Sequence, residues 1–518
     1  MVAVILFSFG FTEGRLVFTL DDPYIHLAVA ENIIQGGYGV NSAEYSSPSS
    51  SVIFPFILAG FEFLGAGPVG LLVLNVVLAG ITVWLALDFL WKQLMDGQDE
   101  ASRLFPNLIA IPVLFSLSPI ALPLLGMEHT LHVFLVVLII RGLIAIAEGQ
   151  QVSWFLLTLA IVTLPFVRFE GFALAFAALA MIAFYGYWRL SATVVGLIIA
   201  GMTVWMTFLH GLGLPIWPSS VLVKSKTIAR IFYPDETPIT GASAFDVVSS
   251  KISGGLWQGV FTFSVVCLLT YFVLQARHSP LKTNSRALVA LVVVAVLFAH
   301  IVAGSYGWFF RYEVYAVTLL ALCSVFILAP TLRKWTALGK LNIKVGYIII
   351  AAIIFSPYAY AAFKTPFAAR GIYHQQYQMH RFATEYFSRS VAVNDLGLVS
   401  YQNSNHVTDL YGLSSERARR LHAQSRMNAA TIDALVKDDG VEFAMIYEPV
   451  FKGAVPSRWC FMGELIAIPV SSTFGTVQFY AVEPAVAPKM HFALNEFARS
   501  LPTAVSFSHS NEACRIGK

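Results

Sequence analysis

Asp21 and Asp22 stand side by side at the end of a hydrophobic stretch, in the run from Phe18 through Pro23 and Tyr24 to His26. A charge placed where a membrane helix leaves the lipid is costly unless it meets water, a partner or a ligand. Asp is a good helix N-cap and Pro favours the first helical turn, which accounts for Asp22 immediately before Pro23. Asp21 is then left over, so the spacing reads Asp21 as the chemical member of the pair and Asp22 as the structural one. A polar loop follows, with Gly36, Gly37, Tyr38, Gly39, Val40 and Asn41, then Glu44 and the serine-rich run 45–51.

Four further clusters carry polar residues that packing does not explain. Gly126, Met127, Glu128, His129 and Thr130 link two apolar runs. His129 there reads as a turn or interface residue, because no second His or Cys stands at metal-ligand spacing. Arg168 and Glu170 flank Phe169 just before Gly171. As an exposed ion pair they would be nearly worthless, whereas a fixed Arg at a membrane edge is a good phosphate fork. Lys224 and Lys226 follow an aromatic, Pro-rich stretch from Leu214 to Pro218. Either they snorkel from a surface segment or they contact a phosphate. Arg311 follows Tyr306, Trp308 and Phe310 and opens a helix, where a cation opposes the helix dipole and an anionic ligand would relieve it.

These residues must be positioned by membrane helices. At 518 residues, 57% hydrophobic and 12% charged, with a mean hydropathy of +0.70, the chain is far too apolar for a soluble globule. The net charge of +3 carries no basic cluster of the kind that binds nucleic acid. Four cysteines are too few for a disulfide scaffold; Cys267 and Cys323 lie in apolar runs, while Cys460 and Cys514 lie in a polar tail and can pair in an oxidising compartment. No cleavable leader is evident, and the first apolar run, interrupted by Glu13 and Arg15, reads as a helix whose start can lie upstream of Met1.

Spans of about 20 apolar residues give about eleven transmembrane helices, near 1–20, 69–90, 106–125, 131–148, 152–167, 171–187, 192–212, 256–276, 287–304, 310–330 and 345–363. The run 52–65, with Pro55 and Glu62, reads as interfacial or re-entrant. Basic loops around Arg277, Lys282 and Arg286 and around Arg333, Lys334, Lys340 and Lys344 mark the cytoplasmic side. The outer side then receives the loop 21–68, Glu128, Arg168, Glu170, the loop 213–255, Arg311 and everything after about residue 364. Residues 1–363 form the membrane domain in this reading. Residues 364–518 form a soluble α/β domain, with a helix over 372–389, strands at 391–395, 441–447, 465–470 and 477–482, and a helix near 426–437.

Acids and bases thus converge on one membrane face. That combination suits a lipid-linked sugar phosphate, whose phosphate needs Lys or Arg and whose incoming hydroxyl needs a carboxylate base. The chain resembles the GT-C superfamily of polytopic glycosyltransferases that use polyprenyl-phosphate sugars, and is similar to bacterial arabinofuranosyltransferase-like members. The likeness runs through Asp21, Asp22 and Tyr24, Gly37 to Asn41, Ser47 and Pro48, Gly126 to Glu128, Arg168 to Gly171, Leu214 to Lys224, Arg311 and Tyr312, then Val391 to Gly397 and Asp409 to Leu413. His129, Trp217 to Ser219 and Glu313 depart from the pattern, and bear on sugar and acceptor more than on fold.

The resemblance implies an inverting transferase of the plasma membrane, multi-pass, with its C-terminal domain extracytoplasmic. It would move a sugar from a polyprenyl-phosphate donor to a glycan or glycolipid hydroxyl in cell-envelope synthesis. It places the base on Asp21. Asp21, Asp22 and Glu128 are the catalytic candidates, and Arg168, Glu170, Lys224, Arg311, Tyr24 and Asn41 are the donor-binding ones. No metal site is expected from spacing, although the acid pair leaves a divalent cation open. The competing classes are a lipid or solute transporter or flippase, and a non-catalytic envelope-assembly protein. A transporter tends to show inverted repeats and paired broken helices, and neither is apparent here.

Overall fold

The structure is a computed structural model that describes residues 1–95, 104–224, 232–233, 255–337, 341–451, 453–470 and 474–510. Lys226 and Cys514, and most of the loop 213–255, lie outside the described residues. The chain divides into two compact units. One holds residues 72–204 and 241–364; the other holds 2–71, 205–240 and 365–518. The soluble tail expected from residue 364 onward is therefore grouped with the first 71 residues, the part of the chain that carries Asp21 and Asp22.

Among the described residues, seven helices are long and apolar enough to cross a membrane: Gly67–Met95, Leu108–Leu125, His129–Ala147, Gly171–Gly211, Leu256–His278, Ser285–Ala303 and Val314–Lys334. This is a polytopic α-helical membrane protein with a C-terminal domain built on a mixed sheet. The sequence predicts about eleven spans, and the difference has local causes. The runs 171–187 and 192–212 make one continuous apolar stretch of 41 residues, in which the helices Gly171–Ile182 and Trp188–Gly211 meet at a kink where Gly186 leaves helical geometry at φ +101°. The run 1–20 contains only the ten-residue helix Val2–Phe11, because Glu13 and Gly14 adopt left-handed φ values of 53° and 78°. Trp154–Val167 has 14 residues, about 21 Å of helix against a hydrocarbon core of about 30 Å. The run 345–363 lies inside the helix Leu341–His374. Phe54–Phe63 is a ten-residue apolar helix where an interfacial segment is expected.

In the membrane-helix unit, Val314–Lys334 is the most enclosed helix, with 72% of its apolar stretch buried, while Leu256–His278, at 6%, lies at the edge. Polar bonds join neighbouring helices. Arg141 donates to Asp88 at 2.7 Å and to the Leu85 carbonyl at 2.6 Å, and Thr318 donates to the Ser116 carbonyl at 3.1 Å.

The second unit contains a six-stranded sheet in the order β2-β1-β3-β5-β4-β6. The strands are β1 Val391–Val393, β2 Val407–Asp409, β3 Phe443–Ile446, β4 Cys460–Ile466, β5 Thr476–Ala481 and β6 Ser506–His509. β1 runs parallel to β2 and β3, with Val391 opposite Val407 and Phe443; the β3–β5, β5–β4 and β4–β6 pairs are antiparallel. Every residue of β1 and β3 is buried, as expected of strands covered on both faces. Alternation sorts the two faces. Phe443 and Phe479 meet Phe382 and Phe497 on one side, with ring centroids 5.2–6.5 Å apart. Ala444, Ile446 and Tyr480 pack with Ile432, Leu435 and Val436 on the other. The helix that brings those last three, Ala429–Asp438, starts at a capping box between Asn428 and Thr431. Cys460 is disulfide-bonded, and Cys514, the partner expected from sequence, lies outside the described residues.

Candidate functional sites

The first polar centre lies in the sheet-bearing unit. The helix Asp22–Ile34 begins at Asp22, and Asp21 makes no cap bond to it. The Asp21 carboxylate is turned elsewhere: Oδ2 accepts the Gly397 amide at 2.6 Å and Oδ1 the Leu398 amide at 2.8 Å. It therefore holds the N-terminus of the short helix Gly397–Ser400, and it is 9% exposed. Capping is the task the sequence reading gave to Asp22. Here Asp22 stands inside the first turn, partly exposed, and Asp21 caps a different helix.

Asp395 joins this pair. It follows β1, and its Oδ2 accepts from Gln376 Nε2 at 2.8 Å and lies 3.0 Å from the Tyr447 hydroxyl. Tyr447 follows β3, its hydroxyl lies 2.7 Å from Gln375 Oε1, and its amide donates to Asn394 Oδ1 at 2.7 Å. Asp395 and Tyr447 thus stand at the carboxyl ends of neighbouring parallel strands, where open α/β sheets place their ligands. Burial pushes the Asp21 carboxyl well above the usual range, and the negative charges of Asp395 and Asp22 add to that. Burial raises Asp395 too, with Asp22 contributing. Three carboxylates in mutual electrostatic reach favour a shared proton over full ionisation. The sequence reading left Asp395, Gln376 and Tyr447 out of the site. The available signal was an Asp-Leu-Gly turn directly after a buried strand, at residues 395–397.

Tyr24 and Asn41 lie in the same unit in supporting positions. Tyr24 accepts the Phe18 amide at 3.1 Å and packs between Phe18 and Tyr401. The Asn41 side chain pairs with the edge strand β2: its Oδ1 accepts the Val407 amide at 2.9 Å and its Nδ2 donates to the Val407 carbonyl at 3.0 Å. Lys224 ends the helix Ser219–Lys224; of that residue only the backbone is described.

The second polar centre lies in the membrane-helix unit and gathers four predicted residues. Arg168 donates to Glu128 at 2.6 Å and to Glu170 at 2.8 and 3.2 Å. Glu128 is fully buried and Arg168 is 6% exposed, so this is an enclosed ion triad rather than a surface pair. Both carboxylates occupy the guanidinium, which leaves Arg168 poorly disposed towards a phosphate. Arg311 is the second buried cation, 2% exposed, and it donates to the Tyr312 hydroxyl at 3.0 Å. The Tyr312 ring sits 4.9 Å from the Arg311 guanidinium and 5.6 Å from that of Arg168. His129 packs edge-on to the same ring, in keeping with an interface role. Two cations and two carboxylates make this centre neutral as a set. Among the described residues no three His, Cys, Asp or Glu side chains are placed to hold a metal ion.

Residues 369–481 match a family described as a domain of unknown function (DUF8728). No curated protein matches the chain. Among solved structures, it is similar over 98% of its length to 76% of the Archaeoglobus fulgidus oligosaccharyltransferase in the apo form, at 12% identity and a TM-score of 0.44. The archaeal oligosaccharyltransferase AglB from the same organism, in complex with an inhibitory peptide and a dolichol-phosphate, aligns over 98% of this chain and 76% of that one, at 10% identity and a TM-score of 0.44. The Archaeoglobus fulgidus enzyme in complex with Zn and sulfate aligns over 98% and 75%, at 12% identity and a TM-score of 0.41. At such identities and scores the likeness assigns no activity to this chain.

Proposed function

We propose that this protein is an inverting GT-C-type glycosyltransferase that moves a sugar from a polyprenyl-phosphate donor to a hydroxyl of a glycan or glycolipid acceptor. The observation that carries the reading is the carboxylate group Asp21, Asp22 and Asp395, assembled where the carboxyl ends of two parallel strands meet the helix Asp22–Ile34. The order of short motifs from Asp21 to Leu413 supports the superfamily, and seven apolar helices suit a lipid-linked substrate.

In this reading Asp22 is the base. Asp21 is committed to two backbone amides, whereas Asp22 is partly exposed beside it. The acceptor hydroxyl gives its proton to the Asp22 carboxylate as its oxygen bonds to the anomeric carbon. The bond from that carbon to the phosphate oxygen breaks, and its electron pair leaves with the phosphate, inverting the centre. As the sequence suggests, Arg311 and Lys224 hold the phosphate, because charge-assisted contacts to phosphate suit a guanidinium or ammonium. Glu128, Arg168 and Glu170 form the framework that keeps Tyr312 and Arg311 in place. The reaction takes place on the outer face of the plasma membrane, with the sheet domain extracytoplasmic.

The test is transfer by the purified full chain from a radiolabelled polyprenyl-phosphate sugar to envelope glycan acceptors, for wild type, Asp22→Asn and Arg311→Gln. Transfer by wild type with about a 100-fold lower turnover in Asp22→Asn, the lower end of general-base effects, is the expected result. Arg311→Gln should chiefly weaken donor binding, since a phosphate contact is made in ground and transition states alike. A well-folded wild type that neither binds nor consumes any polyprenyl-phosphate sugar removes the reading.

A further inference from the structure

The C-terminal end of the helix Asp22–Ile34 borders a depression away from the carboxylates, which stand at the start of that helix. Its volume is about 460 Å³, within the range of small-ligand sites of about 300–1,000 Å³. Glu31, Asn32 and Gln35 line it from the helix side, and Gln402, Asn403 and Asn405 from the segment that leads into β2. Side-chain amides dominate, and each offers both donors and an acceptor.

The lining excludes several ligand classes. Among the described residues it holds no Lys or Arg, and its one titratable base, His406, already faces Glu44 and Asp439, so a phosphate finds no spare counter-charge; it holds no Phe, Tyr, Trp, Leu or Ile, so a lipid tail finds no apolar wall. A single carboxylate, Glu31, is too little for a divalent cation, and its Oε2 already accepts the Gln402 amide at 3.0 Å. A ligand of many hydroxyls fits, since each sugar hydroxyl also donates and accepts. Five of the six lining amides are fixed in advance: Asn32 donates to the Gly39 carbonyl and Asn403 to the Val399 carbonyl, each at 2.9 Å, while Asn41, Gln402 and Asn405 donate to the Val407 carbonyl and to the Tyr401 and Ser388 hydroxyls. Ser400 supplies an independent indication. It lines the depression, is 2% exposed, and its Oγ has no hydrogen-bond partner among the described residues. Buried hydroxyls are nearly always satisfied, and a ligand hydroxyl would satisfy this one.

We infer that this depression binds a sugar residue of the acceptor glycan, one or more residues away from the hydroxyl that reacts. The inference rests on the glycosyltransferase reading for its substrate, but not for its detection. Saturation-transfer NMR on the full chain in detergent, with maltotriose, mannotriose and arabinofuranotriose as probes, reads binding directly. At least one trisaccharide should receive saturation. Gln35→Trp, a bulky change at an exposed lining residue, should abolish it, and Ser400→Ala should weaken it about tenfold or less, the scale of one hydrogen bond. Ser400→Ala should unfold at the wild-type temperature or above it, which separates lost binding from lost fold. In transfer assays Gln35→Trp should raise the acceptor KM with kcat unchanged. No saturation of any of the three sugars, or equal saturation in Gln35→Trp, overturns the site. Sugar binding that Gln35→Trp removes, in a wild type that transfers nothing, keeps the site and removes the transferase reading.

Discussion

Asp21 bonds to Gly397 across 376 residues of sequence, with Oδ2 accepting the Gly397 amide at 2.6 Å. This pair ties the first acidic motif to the turn after β1. It also explains the glycine, since a Cβ at residue 397 would meet the Asp21 side chain, 2.6 Å from Oδ2, as well as its carbonyl. Asp21 is thereby committed to holding the start of the helix Gly397–Ser400.

Gly397→Ala should therefore disrupt the carboxylate centre. The intruding methyl meets backbone as well as the Asp21 carboxylate, so relief requires the chain to move. Overpacking of this kind typically costs about 1–3 kcal/mol. Thermal unfolding of the purified variant measures it, and a melting temperature equal to wild type would show that the approach is looser than described.

Asp21→Asn and Asp22→Asn should part company. An Asn at 21 can accept only one of the two amide bonds and turns a donor towards the other. It should lose about 1–3 kcal/mol of stability, as for a buried backbone amide left unsatisfied, together with activity. Asp22→Asn should keep the wild-type melting temperature and lose turnover. The reverse pattern would return the base to Asp21.

Arg168→Met should be among the most destabilising single changes in the membrane-helix unit. It strands Glu128 as a buried charge, and breaking a buried ion pair from one side costs about 3–5 kcal/mol. Adding Glu128→Gln to Arg168→Met should recover part of the loss, because the stranded charge is then gone. Unfolding in detergent monitored by circular dichroism tests both, and a double variant no more stable than Arg168→Met alone would contradict the account.

His406 should give the sheet domain a pH-dependent element. A hydrogen bond to Asp439 raises its pKa, and the charges of Glu44 and Asp439 act the same way against burial. Burial works to raise Asp439, but its bonds to His406 and Thr408 and the charges of His406 and Arg417 hold it below the usual range. The raised His contributes stability in full below its unfolded value, about 6.5, and loses it as pH rises through the higher folded value. The depressed Asp contributes above its unfolded value, about 3.9, and loses it as pH falls through the lower folded value. The pair is fully effective between these limits. Glu44, which burial raises, works against Asp439 in the acidic part of that window. The melting-temperature difference between wild type and His406→Gln should be largest near pH 5–6 and shrink towards alkaline pH; a constant difference would rule out the titration.

A reporter fused after Ser510 tests the sidedness proposed for the sheet domain. A reporter active only outside the cytoplasm should work there, because the basic loops 277–286 and 331–344 favour the inner side. Activity of only a cytoplasmic reporter would invert the topology.

Hydropathy by itself settles that this chain is a polytopic helical membrane protein, because the length and composition of a spanning helix are local properties. Strands near 391, 443 and 477 are legible for the same reason, because short buried runs bounded by turn residues declare themselves; the expected strand 465–470 meets only the end of β4, Cys460–Ile466. The motifs with Glu128, Arg168 and Arg311 are visible as unexplained charges, and their clustering is suggested by the counting of spans. Hydropathy does not register the left-handed Glu13 and Gly14 that end the first helix after ten residues, or the kink at Gly186. What the local signals miss beyond these turns is decided by long-range pairing. The capping rule makes Asp22 the structural acid only if each acid serves its own helix. The tertiary fold gives Asp21 another helix to cap, 376 residues on, so that capping no longer singles out Asp22 as the structural acid. Asp395 and Tyr447 come together because β1 and β3 are neighbours in the sheet, a pairing that no spacing in the sequence encodes.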